Sequence, residues 1–261
     1  MKYSSSKCFI VGELHRLLHQ YCPMCLCLQH VGPVVDSVGD YHVAVESPIS
    51  PSHLRVAILL HRSVTFKSIN LSNTPFQTVA IRICFSDRKP LTLCSFYNQP
   101  SCLYDLSCLN NLISCLPEPF LLGDFNAHSP LWGSLTSDTP GRPVEHLLLN
   151  SSVCCLNDGS HTYYSPTHNT HTSVDLTLAS ANIVSQFDWA VLPDRFTSDH
   201  YPIILTPITS VPQKYLPHYN VTKADWISFG SATSAIAEFQ IHSSPQDNYE
   251  YLFNFITSAA D

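Results

Sequence analysis

Short apolar runs with two-residue alternation recur along the chain and predict a fold that is rich in β-strands. The runs are bounded by Pro, Asn, Asp or Ser, which are residue types that turns prefer. The predicted strands are Met24–Gln29, Arg55–Leu60, Thr78–Phe85, Leu91–Tyr97, Pro119–Gly123, Ser173–Leu178, Phe187–Val191 and Pro202–Leu205. Helical spacing predicts helices at Glu13–His19, Leu103–Leu116 and Val144–Leu149. Because strands outnumber helices, and the helices do not alternate strictly with them, the pattern favours an α/β or α+β sandwich over a doubly wound sheet.

The pattern changes after the last predicted strand, and we expect a domain boundary there. A stretch that cannot hold regular structure contains Pro207, Pro212 and Pro217. It is followed by Thr222–Asp225, which resembles the capped start of a helix. We therefore predict one domain over residues 1–207, followed by a proline-containing linker and a short helical segment over residues 208–261.

Composition limits the classes of function. With 44% apolar residues in 261, the chain can build a large core, while a net charge of −7 argues against a general electrostatic clamp on nucleic acid. No apolar run is long enough to span a bilayer, and the first residues do not resemble a secretory signal. The odd number of cysteines, 11, predicts reduced thiols in an intracellular chain rather than a disulfide framework.

Three predicted strands share one feature, which is that polar, metal-competent side chains lie at their ends. The segments PFLLGDFNAH, TSVDLTL and TSDHYPII carry Asp124, Asn126, Asp175, Asp199 and His200. Residues two apart on a strand point to the same side, so Asp124 and Asn126 should share a face. Oxygen ligands, a neutral amide donor and a His–Asp pair are the groups that metal-assisted phosphodiester hydrolysis requires.

These segments resemble the endonuclease/exonuclease/phosphatase superfamily. The strings LLGDFNAHSPLWGS, TSVDLTLAS and RFTSDHYPI are most similar to the apurinic-type endonuclease domain of non-LTR retrotransposon polyproteins. Two narrower markers are HSPLWG after the GDFN core and KADW at Lys223–Trp226, which resembles the link toward a reverse transcriptase. The resemblance extends from about Glu13 to Pro207. It implies a four-layer sandwich of two mixed β-sheets flanked by helices.

The resemblance also implies a role for each of the five polar residues. Asp124 would orient or deprotonate the attacking water, and Asn126 would donate to a phosphate oxygen. Asp199 would be a metal ligand, and His200 would contact the phosphate and support general acid–base catalysis. Asp175 would fix the tautomer and direction of that imidazole.

Further site residues are predicted with alternatives that the sequence leaves open. Tyr97 matches a strand-end tyrosine of the family, but a tyrosine half in the core is an equal interpretation. His128, Arg142 and Tyr164 are predicted to contact substrate. Tyr164 lies in a polar, aromatic stretch over residues 158–171, which is either a loop that lies against DNA or an ordinary surface loop. Arg142 fits a phosphate contact or a solvated helix start.

Two departures from the family pattern bear on activity. The strand ending in Gln29 continues with His30, where the family places the glutamate that is its principal magnesium ligand. We assign His30 to the metal site, although imidazole suits softer metals than Mg²⁺. The family's opening strand, which carries an asparagine, has no counterpart before Glu13. We expect that the domain is cut short at its start or that this strand has decayed.

The resemblance implies a DNA endonuclease that uses Mg²⁺ or Mn²⁺ and nicks one strand for target-primed retrotransposition. DNA would be its partner and the nucleus its place of action, with no membrane and no small-molecule cofactor. A phosphatase or phosphodiesterase of the same superfamily is an alternative, and so is a catalytically inactive retroelement remnant. A separate zinc site from His15, His19, Cys22 and Cys25 is also open, although these residues equally fit a helix followed by a strand.

Overall fold

The computed structural model describes residues 9–31, 37–45, 55–71, 74–85, 89–100 and 102–208. The helices are α1 (Phe9–Tyr21), α2 (Leu106–Ser114), α3 (Gly141–Asn150) and α4 (Ala181–Val184), with a 3₁₀ turn at Pro130–Trp132. The strands are β1 (Cys25–Val31), β2 (Ser37–Val38), β3 (Tyr41–Val45), β4 (Arg55–His61), β5 (Thr65–Ile69), β6 (Gln77–Cys84), β7 (Leu91–Tyr97), β8 (Pro119–Asp124), β9 (Val153–Cys155), β10 (Tyr163–Ser165), β11 (Thr170–Thr172), β12 (Asp175–Ser180), β13 (Phe187–Val191) and β14 (Ile203–Pro207).

The strands form two main sheets and two hairpins. A six-stranded sheet has the order β5-β6-β7-β8-β12-β9, and a four-stranded sheet has the order β1-β4-β3-β2. The six-stranded sheet is mixed, because β7 and β8 are parallel while its other pairs are antiparallel. The pairs β10–β11 and β13–β14 are separate two-stranded sheets.

The apolar side chains form three core layers. The middle layer lies between the two sheets, where Ile58 and Leu60 of β4 meet Ile81 of β6. An outer layer packs α2 and α3 against the six-stranded sheet, and another packs α1 against the four-stranded sheet. The described chain is therefore a four-layer sandwich, as the sequence predicted.

The register of the central strands determines where the polar strand ends meet. Tyr97 at the end of β7 is the ladder partner of Asp124 at the end of β8. Asp124 in turn pairs with Asp175 at the start of β12. Three functional candidates therefore lie side by side at the ends of three neighbouring strands in the middle of the six-stranded sheet.

The predicted strands and helices are all present, but several ends differ. The strand predicted from Ser173 begins at Asp175, because the Thr162 hydroxyl accepts the backbone N–H groups of Val174 and Asp175. The helix predicted over Leu103–Leu116 is shorter, because the Asp105 carboxylate accepts the backbone N–H of Cys108 and caps the helix there. The sequence analysis missed β2, β3, β5, β9, β10, β11 and α4, which are short or half-exposed elements.

The structure adds two findings on the compositional expectations. The ten cysteines of the described residues carry free thiols. None of the helices in those residues is both long and apolar enough to cross a membrane. Residues 209–261 lie outside the described residues, so the predicted linker, its helices and the Lys223–Trp226 marker stay predictions.

The contact between β7 and β8 requires glycine at position 123. A Cβ on Gly123 would lie 1.8 Å from the backbone oxygen of Phe96. We predict that Gly123→Ala lowers the free energy of unfolding by about 2 kcal/mol or more, because a backbone atom cannot yield to the added methyl group. Urea unfolding measures this change.

The matched control is Gly12→Ala in α1, where a Cβ would meet nothing within 4 Å. Alanine is the better helix former, so the control should be neutral or stabilising by up to about 1 kcal/mol. Equal unfolding midpoints for the two variants would contradict the packing argument.

Candidate active site

Asp124 and Asn126 form one unit at the end of β8. The backbone N–H and the side-chain amide of Asn126 each donate to a different carboxylate oxygen of Asp124, both at 3.0 Å. The same amide also donates to the backbone oxygen of Asn98 at 2.8 Å. Asn126 has a φ of 47°, so a left-handed turn, and not strand alternation as predicted, brings the two side chains together.

The donor capacity of Asn126 affects its predicted role. An amide group has two donor hydrogens, and here Asp124 and Asn98 accept both. Donation to a phosphate oxygen would require the release of one of these bonds. The arrangement favours Asn126 as the residue that positions the Asp124 carboxylate.

Asp175 and His200 form a buried pair. The Asp175 carboxylate accepts a hydrogen bond from Nδ1 of His200 at 2.6 Å, and the two side chains are only 7% and 1% exposed. The ring of Tyr163 lies against the imidazole, with 4.6 Å between ring centroids. Because Nδ1 carries the hydrogen that Asp175 accepts, the neutral imidazole has its lone pair at Nε2.

Asp199 lies on the other side of the imidazole. Its Oδ1 is 4.0 Å from Nε2 of His200. Both atoms are buried, and neither has a hydrogen-bond partner within the described part of the chain. Buried polar atoms without a partner are costly, so a water, ion or ligand atom that contacts them would satisfy them.

The donor set fits a divalent cation. Asp124, Asp175 and His200 offer ligand atoms that lie within 4.8 Å of one another, and Asp199 adds a third carboxylate beside them. Carboxylates this close repel unless a positive charge lies between them, and hard cations prefer such oxygen ligands. Within this group Asp175 is engaged by the imidazole of His200, and both oxygens of Asp124 accept hydrogen bonds from Asn126. The side chain of His30, the other predicted ligand, lies outside the described residues.

The loop before His200 has a strained backbone. Phe196 and Thr197 have consecutive positive φ values of 49° and 61°. Such conformations cost roughly 1 kcal/mol or more per residue and persist only when surrounding contacts enforce them. Asp194 supplies one of these contacts, because its carboxylate accepts the backbone N–H of Phe196 at 2.8 Å.

Arg16 of α1 anchors this loop from outside. Its guanidinium donates to Asp194 at 2.8 Å and to Glu13 at 2.9 and 2.6 Å, and it lies 4.2 Å above the ring of Phe196. Phe196 itself is fully buried in the core layer beneath α1. The hydrogen bond from Arg16 lowers the pKa of Asp194. The N-terminal helix therefore determines the position of the loop that carries Asp199 and His200.

The HSPLWG segment has a structural role. Ser129 caps the 3₁₀ turn by accepting the backbone N–H of Leu131, and it also hydrogen-bonds to Glu145. Trp132 is fully buried and donates its indole N–H to the backbone oxygen of Ala127 at 3.1 Å. These bonds hold the chain that leaves Asn126 against α3. Hydrogen bonds from Ser129 and then Ser137 lower the pKa of Glu145.

The other predicted site residues lie at varying distances from this centre. Tyr97 is buried beside Asp124 at the end of β7. His128 is half-buried, and its Nδ1 is 2.8 Å from the Asp138 carboxylate. Arg142 is exposed in the first turn of α3. The roles of these three residues at the site therefore stay predictions.

Tyr164 lies on a hairpin next to the site. The predicted loop over residues 158–171 contains the strand pair β10–β11, so the loop interpretation is only partly correct. The ring of Tyr164 is tilted by 38° against the ring of His171, with 4.9 Å between centroids, and the Arg195 guanidinium lies 4.6 Å above the Tyr164 ring. The Tyr164 backbone N–H donates to the backbone oxygen of Asp199 at 2.8 Å. The hairpin therefore borders the site and presents aromatic groups, and the Arg195 cation from the loop before His200 lies against them.

Sequence reasoning missed several residues that support the site. Asn98, Thr162, Tyr163 and Arg195 contact the predicted residues through backbone atoms, a hydroxyl or ring faces. None of these residues belongs to a sequence motif whose spacing indicates a functional site. Only the aromatic content of residues 161–164 was a signal.

The zinc alternative is not supported within the described residues. There, Asp124, Asp175 and His200 are the group of three or more metal-competent side chains that approach one another closely enough. His15, His19 and Cys22 are exposed on and after α1, whereas Cys25 is half-buried in β1. Burial raises the pKa of the Cys25 thiol to about 12, which disfavours the thiolate that zinc requires.

One family model matches the part of the chain that carries the site. Residues 91–204 match the family model described as Endonuclease-reverse transcriptase, and this range contains Asp124, Asn126, Asp175, Asp199 and His200. The resemblance that the sequence motifs suggested is confirmed by this match and by the fold. No curated protein matches the sequence.

Solved structures show the same fold at low sequence identity. The endonuclease domain of TRAS1, a telomere-specific non-LTR retrotransposon, superposes with a TM-score of 0.68 at 19% identity, covering 80% of this chain and 96% of that domain. TDP2 from D. rerio, in complex with a single-strand DNA product, has a TM-score of 0.53 at 17% identity, with 75% and 90% covered. A conserved protein of unknown function from Enterococcus faecalis V583 has a TM-score of 0.50 at 13% identity, with 76% and 91% covered.

The contact between Arg16 and Asp194 yields a testable prediction. We expect Arg16→Ala to accelerate hydrogen exchange of the backbone amides over residues 194–200 by at least about threefold, because the loop loses its anchor on α1. Because the pKa of Asp194 is lowered in the folded state, this anchor is present at neutral pH and is lost as the pH falls through that lowered pKa. Exchange measured by mass spectrometry at two pH values tests both statements.

Arg62→Ala is the matched control, since Arg62 lies 3.9 Å from Asp40 in an exposed ion pair of another turn. It should leave residues 194–200 unchanged. If Arg16→Ala also leaves them unchanged, the loop does not depend on α1.

Proposed function

We propose that this protein is a divalent-metal-dependent DNA endonuclease that hydrolyses one phosphodiester bond and nicks one strand. The observation that carries the proposal is the pair of buried, unpartnered atoms, Oδ1 of Asp199 and Nε2 of His200, which are 4.0 Å apart beside Asp124. Two acceptor atoms this close suit a bound water or a metal ion, and Nε2 suits a phosphate oxygen once it is protonated. The likeness to the TRAS1 endonuclease domain and the Endonuclease-reverse transcriptase match support a nuclease within this superfamily.

The residues of the site divide the work of the reaction. Asp124, held by Asn126, accepts a hydrogen bond from the attacking water and draws off its proton. His200, oriented by Asp175, directs Nε2 toward a phosphate oxygen and carries a proton there when protonated. The buried Asp175 carboxylate stabilises that protonated imidazole. Burial of both groups excludes bulk water and strengthens their interaction.

A bound Mg²⁺ or Mn²⁺ would offset the negative charge that develops on the phosphate during hydrolysis. Asp199 and Asp124 would hold it, with the residue at position 30 as a third ligand by resemblance. Imidazole at that position favours Mn²⁺ over Mg²⁺, because Mn²⁺ accepts nitrogen ligands more readily.

The surface beside the site suits a nucleic-acid strand better than a small phosphomonoester. Tyr164 and His171 on the β10–β11 hairpin, together with Arg195, offer ring faces and a cation next to Asp199. Aromatic rings stack on bases or sugars of any sequence, and each stacked base contributes about 1–3 kcal/mol. Because the chain has a net charge of −7, DNA binding would depend on this local surface and on the metal. The nick would prime DNA synthesis by a reverse transcriptase, and the nucleus is where we expect it to act.

The first test is strand nicking. Purified protein incubated with supercoiled plasmid and either Mg²⁺ or Mn²⁺ should convert it to the open-circular form. Asp199→Asn should reduce the rate by about a hundredfold or more, because it removes a charge that acts at the reacting phosphate. The matched control is Asp188→Asn, on the exposed side of β13, which should be as active as the parent protein.

A parallel assay distinguishes the phosphatase alternative. An end-phosphorylated oligonucleotide should release little free phosphate compared with the nicking rate. Phosphate release without nicking would identify a phosphomonoesterase, and the absence of both reactions with either metal would support an inactive remnant.

A second prediction concerns the residue at position 30. His30→Glu should raise Mg²⁺-supported nicking by at least about tenfold, because it supplies the carboxylate that a hard cation prefers. Mn²⁺-supported nicking should change less, so the ratio of the two rates is the measured quantity. An unchanged ratio would show that position 30 does not contact the metal.

A further inference from the structure

A row of polar side chains crosses the six-stranded sheet at the end that carries the site, and this row extends to β6. Gln77 begins β6 and is the ladder partner of Tyr97 at the end of β7. Tyr97 pairs in turn with Asp124, and Asp124 pairs with Asp175. Directly opposed residues of neighbouring strands point to the same face of a sheet, so these four side chains share one face.

The shared face is the one that is turned toward the four-stranded sheet. Further along β6, Val79 and Ile81 lie in the core layer between the two sheets. They are two and four residues after Gln77, so they point to the same side of the strand. Tyr97 lies in the same core layer. The polar row therefore takes the place of apolar side chains where this layer reaches the site.

The amide group of Gln77 is not fully used by the protein. Its Oε1 is buried and has no hydrogen-bond partner in the part of the chain that the structure describes. The buried amide of Gln29, by contrast, donates to the Ser95 hydroxyl at 2.9 Å. Buried polar atoms in native proteins are nearly always paired with protein, water or ligand. The end of β6 therefore offers an amide to a ligand of the site.

The position of Gln77 indicates how long that ligand is. β7 separates β6 from β8, and neighbouring strands are about 4.8 Å apart, so the backbones at Gln77 and Asp124 are about 10 Å apart. Tyr97 lies between the two side chains. A small phosphate ester bound at Asp124 ends before it reaches β6. A polynucleotide continues past the reacting phosphate and places further phosphates along the row.

We propose that Gln77 binds the DNA strand at a phosphate next to the one that is cleaved, a role that rests on the proposed nuclease function. The amide has two donor hydrogens, and a half-turn about the last side-chain bond exchanges Oε1 and Nε2. Nε2 therefore donates to a non-bridging phosphate oxygen, and Oε1 accepts from water. Side-chain amides are common donors to the phosphates of DNA.

The first test measures DNA binding as the charge at position 77 is changed. A fluorescently labelled duplex is titrated with the whole chain in Ca²⁺, a divalent cation that binds oxygen ligands. Gln77→Arg should tighten binding at least about fivefold, because it adds a cation at a phosphate. It should also steepen the slope of log K against log salt concentration by about 0.9, which corresponds to one more phosphate neutralised. Gln77→Glu should weaken binding at least about fivefold.

The second test separates a substrate contact from a structural role. Gln77→Ala should raise KM for plasmid nicking at least about fivefold and leave kcat nearly unchanged, because the lost contact lies away from the reacting phosphate. Hydrolysis of bis(p-nitrophenyl) phosphate, which is too short to reach β6, should proceed at the parental rate. A residue that only supports the end of the sheet would affect both substrates alike.

The matched controls are Asn110→Arg and Asn110→Glu, which make the same changes of charge at an exposed position of α2 and should leave binding and its salt slope unchanged. Variants of Gln77 that bind DNA as the parent protein does, or no more differently than the Asn110 variants, overturn the proposal.

The titrations also separate this proposal from the nuclease function. If the parent protein binds DNA without nicking it, the nuclease function is contradicted, and the binding of the Gln77 variants still decides the role of Gln77. If the parent protein nicks plasmid and the Gln77 variants match it in affinity and KM, only the role of Gln77 is overturned. A parent protein that does not bind DNA overturns both.

Discussion

The register of β8 between β7 and β12 is the constraint on which the rest of the site depends. The parallel ladder with β7 and the antiparallel ladder with β12 place Tyr97, Asp124 and Asp175 in one row. Because the side-chain period of a strand is two, a slip of one residue would turn Asp124 into the apolar core. Gly123 allows the close approach of β7 that holds this register. The chemistry of the site therefore depends on backbone packing inside the sheet.

Much of this arrangement could be predicted from the sequence, because apolar strands and their polar ends leave a clear pattern. The strand ends with Asp124, Asp175 and His200 were found in this way, and the structure brings them together. The two-residue alternation of a strand did not predict the conformation of Asn126, because the residue lies in a left-handed turn after the strand. Thr162 and Asn98 were missed because they act through a hydroxyl and a backbone oxygen. Contacts of this kind depend on the fold and are absent from local spacing.

Two loops hold the site by different means. The chain after Asp124 is held by buried groups, chiefly the Trp132 indole and the hydroxyl of Ser129. The chain before His200 is held by the exposed ion pair between Arg16 and Asp194 and by the buried ring of Phe196. Exposed ion pairs are weak and sensitive to salt, so the second loop is the more easily loosened of the two. Asp199 and His200 follow directly after this loop, so their positions are the more sensitive to salt.

The long sequence separations within the site have a consequence for protein synthesis. Arg16 and Asp194 are 178 positions apart, and Gln29 and Ser95 are 66 apart. Such non-local contacts slow folding, because a long stretch of chain must be ordered before they form. During translation, a nascent chain shorter than 200 residues lacks the imidazole altogether. Asp199 and His200 are therefore the last of the five candidate residues to be synthesised, and the site can form only after both have left the ribosome.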